Sequence, residues 1–362
     1  MKKKSKIAII LGTRPEIIKM SPVIHECIKK NVPFFILHTG QHYSPNMDSV
    51  FFKDLGLPKP KYNLGLGNLN YNEQVGKFTR GISEILKKEK PNWVLVQGDT
   101  TTVLAGALAA NKLGIKVAHH EAGLRSYDTA MLEEVNRILT DNLSDVLFAP
   151  TKTSVNNLLK EGIDKKKIHL TGNTVVDAVK RYAASYQKNQ ILKKIGLKKD
   201  KYFLVTAHRA ENVDNPERLE NILKGLDLVK KHFKGVEILY PLHPRTKKRI
   251  ASLGFKMPSG INIIEPVGYF EMLQLQKNAK LIITDSGGVQ EEAATLRVPL
   301  VTLRDNTERP ETVDGGFNVL VPGVRPDDIL AAVKTMLAKK HQWKKNPFGD
   351  GKSAGRIVAR LS

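Results

Sequence analysis

Cysteine is almost missing from this sequence: Cys27 stands alone among 362 residues. One thiol forms no intramolecular disulfide and supplies no thiolate metal cluster, which fits a reducing, cytoplasmic setting. Long apolar runs are missing too, and none approaches the roughly 20 residues that cross a bilayer. The basic start MKKKSK is followed only by the short apolar run 7–11 before Gly12, too little for the apolar core of a secretory leader. No membrane association is expected. Aromatics make up 6% of the chain, and basic runs such as 87–90, 165–167 and 193–201 are not interleaved with them. The net charge of +22 therefore reads as solvated surface rather than a nucleic-acid face. A G-x-G-x-x-G dinucleotide turn is absent, and no clustered metal ligands appear. Gly351-Lys352-Ser353 imitates the end of a phosphate-binding loop, but no strand precedes it and Asn346 occupies the position of the first glycine.

What is present is a regular alternation of short apolar strands with helical patterns, the signature of an α/β protein with parallel sheets. One series of strands is expected at 7–11, 34–38, 94–97, 116–119 and 146–149. A second is expected at 202–206, 236–240, 262–264, 281–284, 300–303 and 319–321. Two such series predict two doubly wound domains, residues 1–171 and 172–349. LTGNTV (170–175) is the crossover, and a terminal helix, 350–362, packs back on the first domain. Ligands of open parallel sheets bind beyond the carboxyl ends of the strands, so those ends hold the candidates.

The stretch LIITDSGGVQEEAATL, from Leu281, runs from a strand through Ser286, Gly287 and Gly288 into a helix. It is either an anion seat built on backbone N–H groups or an ordinary unit capped by Ser286. Glu292, one turn on, is placed to accept hydrogen bonds from a ribose. GTRPEIIKM sends Arg14 out of a strand-end turn, with Lys19 one turn further; both are cleft cations or plain surface charges. HTGQHY offers Gln41 and His42, whose histidines lack the third ligand of a metal site. In QGDTTT, Asp99 is either a helix cap or a cleft carboxylate. HHEAGLR places Glu121 directly after an apolar strand, where packing alone does not explain a charge. In LEEVNR, the apolar positions Leu132, Val135, Ile138 and Leu139 form a stripe expected to face the core. Glu133 then either pairs with Arg137 or faces the cleft. TAHRAEN and YPLHPRT bring His208, Arg209 and His243 to strand ends. Tyr269 and Phe270 either stack a base or belong to the core. LRDNTERPE puts Arg304, Glu308 and Arg309 on a loop.

In this order, GTRPEIIKMSPVI, HTGQHY, QGDTTTVLAGALAA, HHEAGLRS, LEEVNR, TGNTVVDAV, TAHRAEN, DSGGVQEEA, LRDNTERPE and NPFGDG resemble the non-hydrolysing UDP-N-acetylglucosamine 2-epimerases. The resemblance runs from about residue 7 to the C-terminus. It implies the GT-B arrangement of two Rossmann-like domains with a cleft between them. The implied reaction interconverts UDP-N-acetylglucosamine and UDP-N-acetylmannosamine, supplying precursors of cell-surface polysaccharides, without NAD, metal or other cofactor. UDP leaves C1 by anti-elimination to 2-acetamidoglucal and is added back. The resemblance makes Asp99, Glu121 and Glu133 the acid/base carboxylates, with His208 a further catalytic group beside the diphosphate or sugar. It makes Arg14, Lys19, Arg209, Ser286, Gly287, Gly288, Glu292 and Arg309 substrate contacts, and it implies a homodimer.

Bacterial members carry a second, activating molecule of UDP-N-acetylglucosamine; Gln41, His42, Arg209 and His243 are the candidates for retaining part of that site, and the resemblance leaves activation of this chain open. This chain departs from them with Tyr43-Ser44-Pro45, with no arginine in 68–72, and with Val267 and Met272 in the uracil region. The rival readings are a GT-B glycosyltransferase and a hydrolysing epimerase that use the same UDP-sugar site.

Overall fold

A computed structural model describes residues 5–41, 51–67, 69–185, 191–339 and 345–362. The chain forms two units, Met1–Ala178 with Phe348–Ser362, and Val179–Pro347. The first holds β1 (Ile7–Leu11), β2 (Phe34–His38), β3 (Tyr62–Asn63), β4 (Trp93–Gln97), β5 (Lys116–His120), β6 (Val146–Ala149) and β7 (Ile168–Leu170). They lie in the order β3-β2-β1-β4-β5-β6-β7, and every pairing is parallel. β1 is buried throughout, as a central strand covered on both faces must be. Ala8, Ile10, Val94, Val96 and Phe78 belong to one core cluster with the alanine-rich helix Thr101–Lys112.

The second unit holds β8 (Tyr202–Thr206), β9 (Glu237–Pro241), β10 (Ile261–Ile264), β11 (Leu281–Thr284), β12 (Leu300–Thr302) and β13 (Asn318–Leu320). Their order is β10-β9-β8-β11-β12-β13, again parallel. In both sheets the strand order reverses beside the first strand. The reversal falls between β1 and β4 in one unit and between β8 and β11 in the other. Crossover helices leave these points in opposite directions and open a crevice at the carboxyl ends.

β3 and β7 were not expected from the sequence. They are two and three residues long, too short to show alternation, and they sit at the sheet edges. The last helix, Ser353–Leu361, lies against the helix Arg14–Lys29. Ser353 and Ala354 donate their N–H groups to Asp177, and Arg356 donates to the Thr171 carbonyl. NPFGDG makes this return possible, with the Phe348 carbonyl accepting from Asn173 N–H at 2.8 Å.

Candidate active site

In the first unit the turns after β1, β4 and β5 meet at the reversal point. After β1, Gly12 is packed so closely that a Cβ there would lie 2.1 Å from Thr102 Oγ1 and 2.4 Å from Thr39 Oγ1. Glu16, in the first turn of the helix Arg14–Lys29, reaches back to this turn. Its Oε2 accepts from the N–H groups of Gly12 (2.5 Å) and Thr13 (2.9 Å), and Oε1 accepts from Thr100 Oγ1 (2.5 Å). Burial pushes its carboxyl up to about 7 despite these donors, and the charge of Asp99 adds to the rise. Arg14 is half-buried with its guanidinium 5.5 Å from the centre of the Phe51 ring.

One turn further, Lys19 is buried and its Nζ lies 2.5 Å from Glu121 Oε1. Glu121 follows β5 with φ +70, a left-handed backbone that costs a non-glycine residue about 1–2 kcal/mol. Its carboxylate also accepts from Asn173 Nδ2 at 2.5 Å and from Gln97 Nε2. All of these are donors, the surroundings that a carboxylate needs when it is taken from water. Glu121 Oε2 stands 3.6 Å from the Cβ position of Gly98, the residue before Asp99. The structure thus brings Lys19 and Glu121 together, with the turn that leads to Asp99 beside them.

The helix Leu132–Leu143 overturns an expectation. Its supposed core stripe leaves Leu132 51% and Leu139 45% exposed. The buried side is Glu134, Asn136, Arg137, Thr140 and Asp141. Glu134, Asn136, Arg137 and Asp141 are inside because each has a partner in a turn or loop that follows a strand, while Thr140 donates to the Asn136 carbonyl of its own helix. Arg137 pairs with Asp99 and with Glu134, and Asn136 Nδ2 donates to the Asp99 carbonyl at 3.0 Å. Glu134 also accepts from the N–H groups of Ser126 and Tyr127. Glu133 is exposed and is not the partner of Arg137. Its charge acts on Tyr71, whose hydroxyl is raised first by burial and then by Glu133. As for Asp99, the helix Thr101–Lys112 is capped by Thr100 rather than by Asp99.

In the second unit the turns after β8 and β11 meet in the same manner. Asp285, fully buried, accepts at one oxygen from the N–H groups of His208 and Arg209, both at 2.9 Å, and from Asn212 Nδ2 at 3.2 Å. The His208 side chain is 45% exposed with its ring 5.8 Å from that of His243. Ser286 precedes the helix Gly287–Leu296 without a side-chain cap bond, so its hydroxyl is not the cap expected by the plainer reading. Where Gly287 lacks a side chain, the Arg309 guanidinium lies 3.0 Å from the Cβ position.

Arg309 is itself buried and donates to Glu291 Oε1 (3.1 Å) and Glu308 Oε2 (3.0 Å). Arg304, buried below it, binds Glu308 with two nitrogens. Burial works against the Glu308 charge, but Arg309 and Arg304 outweigh it and hold the carboxyl well below its ordinary range. The loop residues are therefore a buried ion network under the helix N-terminus. Glu292 is half-buried and accepts from Gln276 Nε2 at 2.6 Å. Phe270 is buried against Tyr182 at 5.3 Å between ring centres, the core alternative rather than base stacking.

Of the remaining candidates, Gln41 accepts from Thr102 N–H and Oγ1 at 3.0 and 2.8 Å, so its amide oxygen braces a helix start. His243 is exposed and caps the helix Pro244–Ser252 through Nδ1, which accepts from Arg245 N–H. His42 lies outside the described residues. Glu16, Gln97, Asn173 and Asp285 were not singled out from the sequence. Each lies inside or beside a motif that was, but nothing in a linear pattern marks which polar residue turns inward. Among the described residues no group of three His, Cys, Asp or Glu side chains is arranged to hold a metal ion.

Two doubly wound parallel sheets, each with polar groups gathered where its strand order reverses, define an α/β protein of the GT-B type. The family model for UDP-N-acetylglucosamine 2-epimerase matches residues 26–362. The chain is 55% identical over 365 residues to the UDP-N-acetylglucosamine 2-epimerase of Methanocaldococcus jannaschii, with 99% of each chain covered. The crystal structure of that organism's UDP-GlcNAc 2-epimerase in complex with UDP-GlcNAc and UDP superposes with a TM-score of 0.91, covering 98% of this chain and 99% of that one. A UDP-2,3-diacetamido-2,3-dideoxy-D-glucuronate 2-epimerase of Pseudomonas aeruginosa is 42% identical over 361 residues, 99% of each chain. This chain belongs to the UDP-N-acetylglucosamine 2-epimerase family, a family of isomerases.

Proposed function

We propose that this chain interconverts UDP-N-acetylglucosamine and UDP-N-acetylmannosamine without releasing the sugar. A carboxylate takes the C2 proton while the C1–O bond breaks, its electron pair leaving with UDP, and a C1=C2 double bond forms. A proton then reaches C2 from the opposite face and the UDP oxygen returns to C1. Asp99, Glu121 and Glu133 are the proton-handling groups of this reading, with His208 beside the sugar or diphosphate. The N–H groups at Ser286, Gly287 and Gly288 hold the diphosphate with a dipole that favours anions, and Glu292 takes the ribose. Arg14, Lys19 and Arg209 supply cationic contacts. Arg309 supports the diphosphate seat, its charge sitting directly against Gly287.

The observation that carries this reading is Glu121, a buried carboxylate on strained backbone, bound to Lys19 and beside the turn of a second carboxylate, Asp99. Strain of this kind persists where a site needs it. Asp99, Glu121 and Glu133 together are more carboxylates than a simple glycosyl transfer requires. The Pseudomonas relative acts at C2 of a different sugar nucleotide, which supports C2 chemistry as the shared feature. The reading includes a homodimer, supported by the apolar, exposed face of Leu132 and Leu139, and a cytoplasmic setting, supported by the lone buried Cys27.

Product analysis tests the proposal. Incubation with UDP-N-acetylglucosamine alone is expected to yield UDP-N-acetylmannosamine with no stoichiometric free UDP. Free UDP with N-acetylmannosamine would establish the hydrolysing reaction instead. Turnover only when a sugar acceptor is added would establish a transferase.

A further inference from the structure

Resting on the epimerase reading, we propose that Asp141 and His119 are positioning residues. One buried carboxylate–imidazole pair sets both strand-end turns that carry Asp99 and Glu121. Neither residue reaches solvent. Asp141 Oδ1 lies 2.7 Å from His119 Nδ1, while its Oδ2 accepts from Gly123 N–H at 3.1 Å and from Arg125 Nη2 at 2.7 Å. The second ring nitrogen of His119, Nε2, lies 2.8 Å from the carbonyl of Gly98.

Gly98, at φ +87, is the residue before Asp99, and Gly123, at φ +78, comes two residues after Glu121. The carboxylate therefore touches the β5 turn directly and the β4 turn through the imidazole. Arg125 extends the contact outward to Glu161, at 2.5 and 2.7 Å. Burial works against the charge of Asp141, but His119 and Arg125 outweigh it and hold the carboxyl below its ordinary range. The same helix side fixes the Asp99 carboxylate through Arg137 and its carbonyl through Asn136. The ties of His119, Asp141 and Asn136 to the two strand-end turns end on backbone, and that of Arg137 ends on the Asp99 carboxylate.

The consequence is geometric. Proton transfer demands placement within a fraction of an ångström, and a misplacement of about 1 Å costs on the order of 100-fold in rate. The amide nitrogen of asparagine falls near the Nδ1 position of histidine, and that of glutamine falls near Nε2. His119→Asn therefore keeps the bond to Asp141 and loses the tie to Gly98, whereas His119→Gln keeps the tie to Gly98.

The test is C2 deuterium uptake from D2O with UDP-N-acetylglucosamine, expressed per folded molecule after thermal melts of each variant. His119→Asn is expected to slow uptake about 10- to 100-fold with the half-saturating concentration within about threefold of the parent. His119→Gln is expected to restore most of the rate. Should His119→Asn not fold, Asp141→Glu displaces the imidazole without changing charge and is expected to give the same split. A parent-like rate in His119→Asn, or equal losses in both His119 variants, would overturn the inference while leaving the epimerase reading intact. A parent protein that takes up no deuterium would overturn both.

Discussion

Glu16 shows how one side chain ties two turns together. It is buried, accepts hydrogen bonds from the β1 turn and from Thr100, and holds its proton up to about pH 7. Its folded value lies above the unfolded one near 4.3, so the native state binds the proton more tightly. The resulting stability is complete below that unfolded value and is lost as the pH rises through 7. Glu16→Gln titrates nothing there. The stability advantage of the parent over this variant is expected to shrink by about 2 kcal/mol between pH 5 and pH 8 in denaturant melts. A constant difference across that range would contradict the burial-raised proton.

At this scale the sequence announced many players but not their pairing. Lys19 and Glu121 were both legible as charges near strand ends, yet they are 102 positions apart, and no linear pattern joins them. Asp285 was visible only as the end of a strand, because its role lies in what folds over it: the His208 and Arg209 N–H groups.

Among the elements, the helix Leu132–Leu143 departs furthest from its sequence pattern. Periodicity assumes that the apolar face is the buried one. Here the polar face is buried because Asp99, Gly98 through His119, and Gly123 present partners that satisfy it, and the leucines are left outside. Charged residues go inside when every group is paired. On the proposed homodimer reading, this outer face meets a second copy of the chain. Burying a leucine contributes about 1.5–3 kcal/mol, so Leu132→Ser with Leu139→Glu is expected to shift a sedimenting dimer to monomer while the melting temperature of the folded chain changes little. A parent that sediments as a monomer, or a variant that remains dimeric, would contradict this. The short edge strands β3 and β7 escaped notice for a simpler reason. Strands of two or three residues carry too few side chains to display a period.

For the whole molecule, the α/β class was legible throughout because continuous apolar strands ending in glycine and polar residues repeat along both halves. Strand order was not, since pairing depends on which helices cover which face. Its consequence is that the polar motifs of each unit collect at a reversal of strand order, β1/β4 and β8/β11. The buried ion network of Arg304, Glu308, Arg309 and Glu291 shows the same limit. Arg304, Glu308 and Arg309 were legible only as charges on a loop, and the fold turns them inward to meet one another and Glu291 of the neighbouring helix.

Proton NMR of UDP-N-acetylglucosamine with the purified protein in D2O tests the central claim most directly. The account predicts UDP-N-acetylmannosamine with deuterium at C2 of both epimers. In Glu121→Gln it predicts retained substrate binding and turnover lower by about 100-fold or more. Epimerisation with the original hydrogen kept at C2, or full activity in Glu121→Gln, would contradict it.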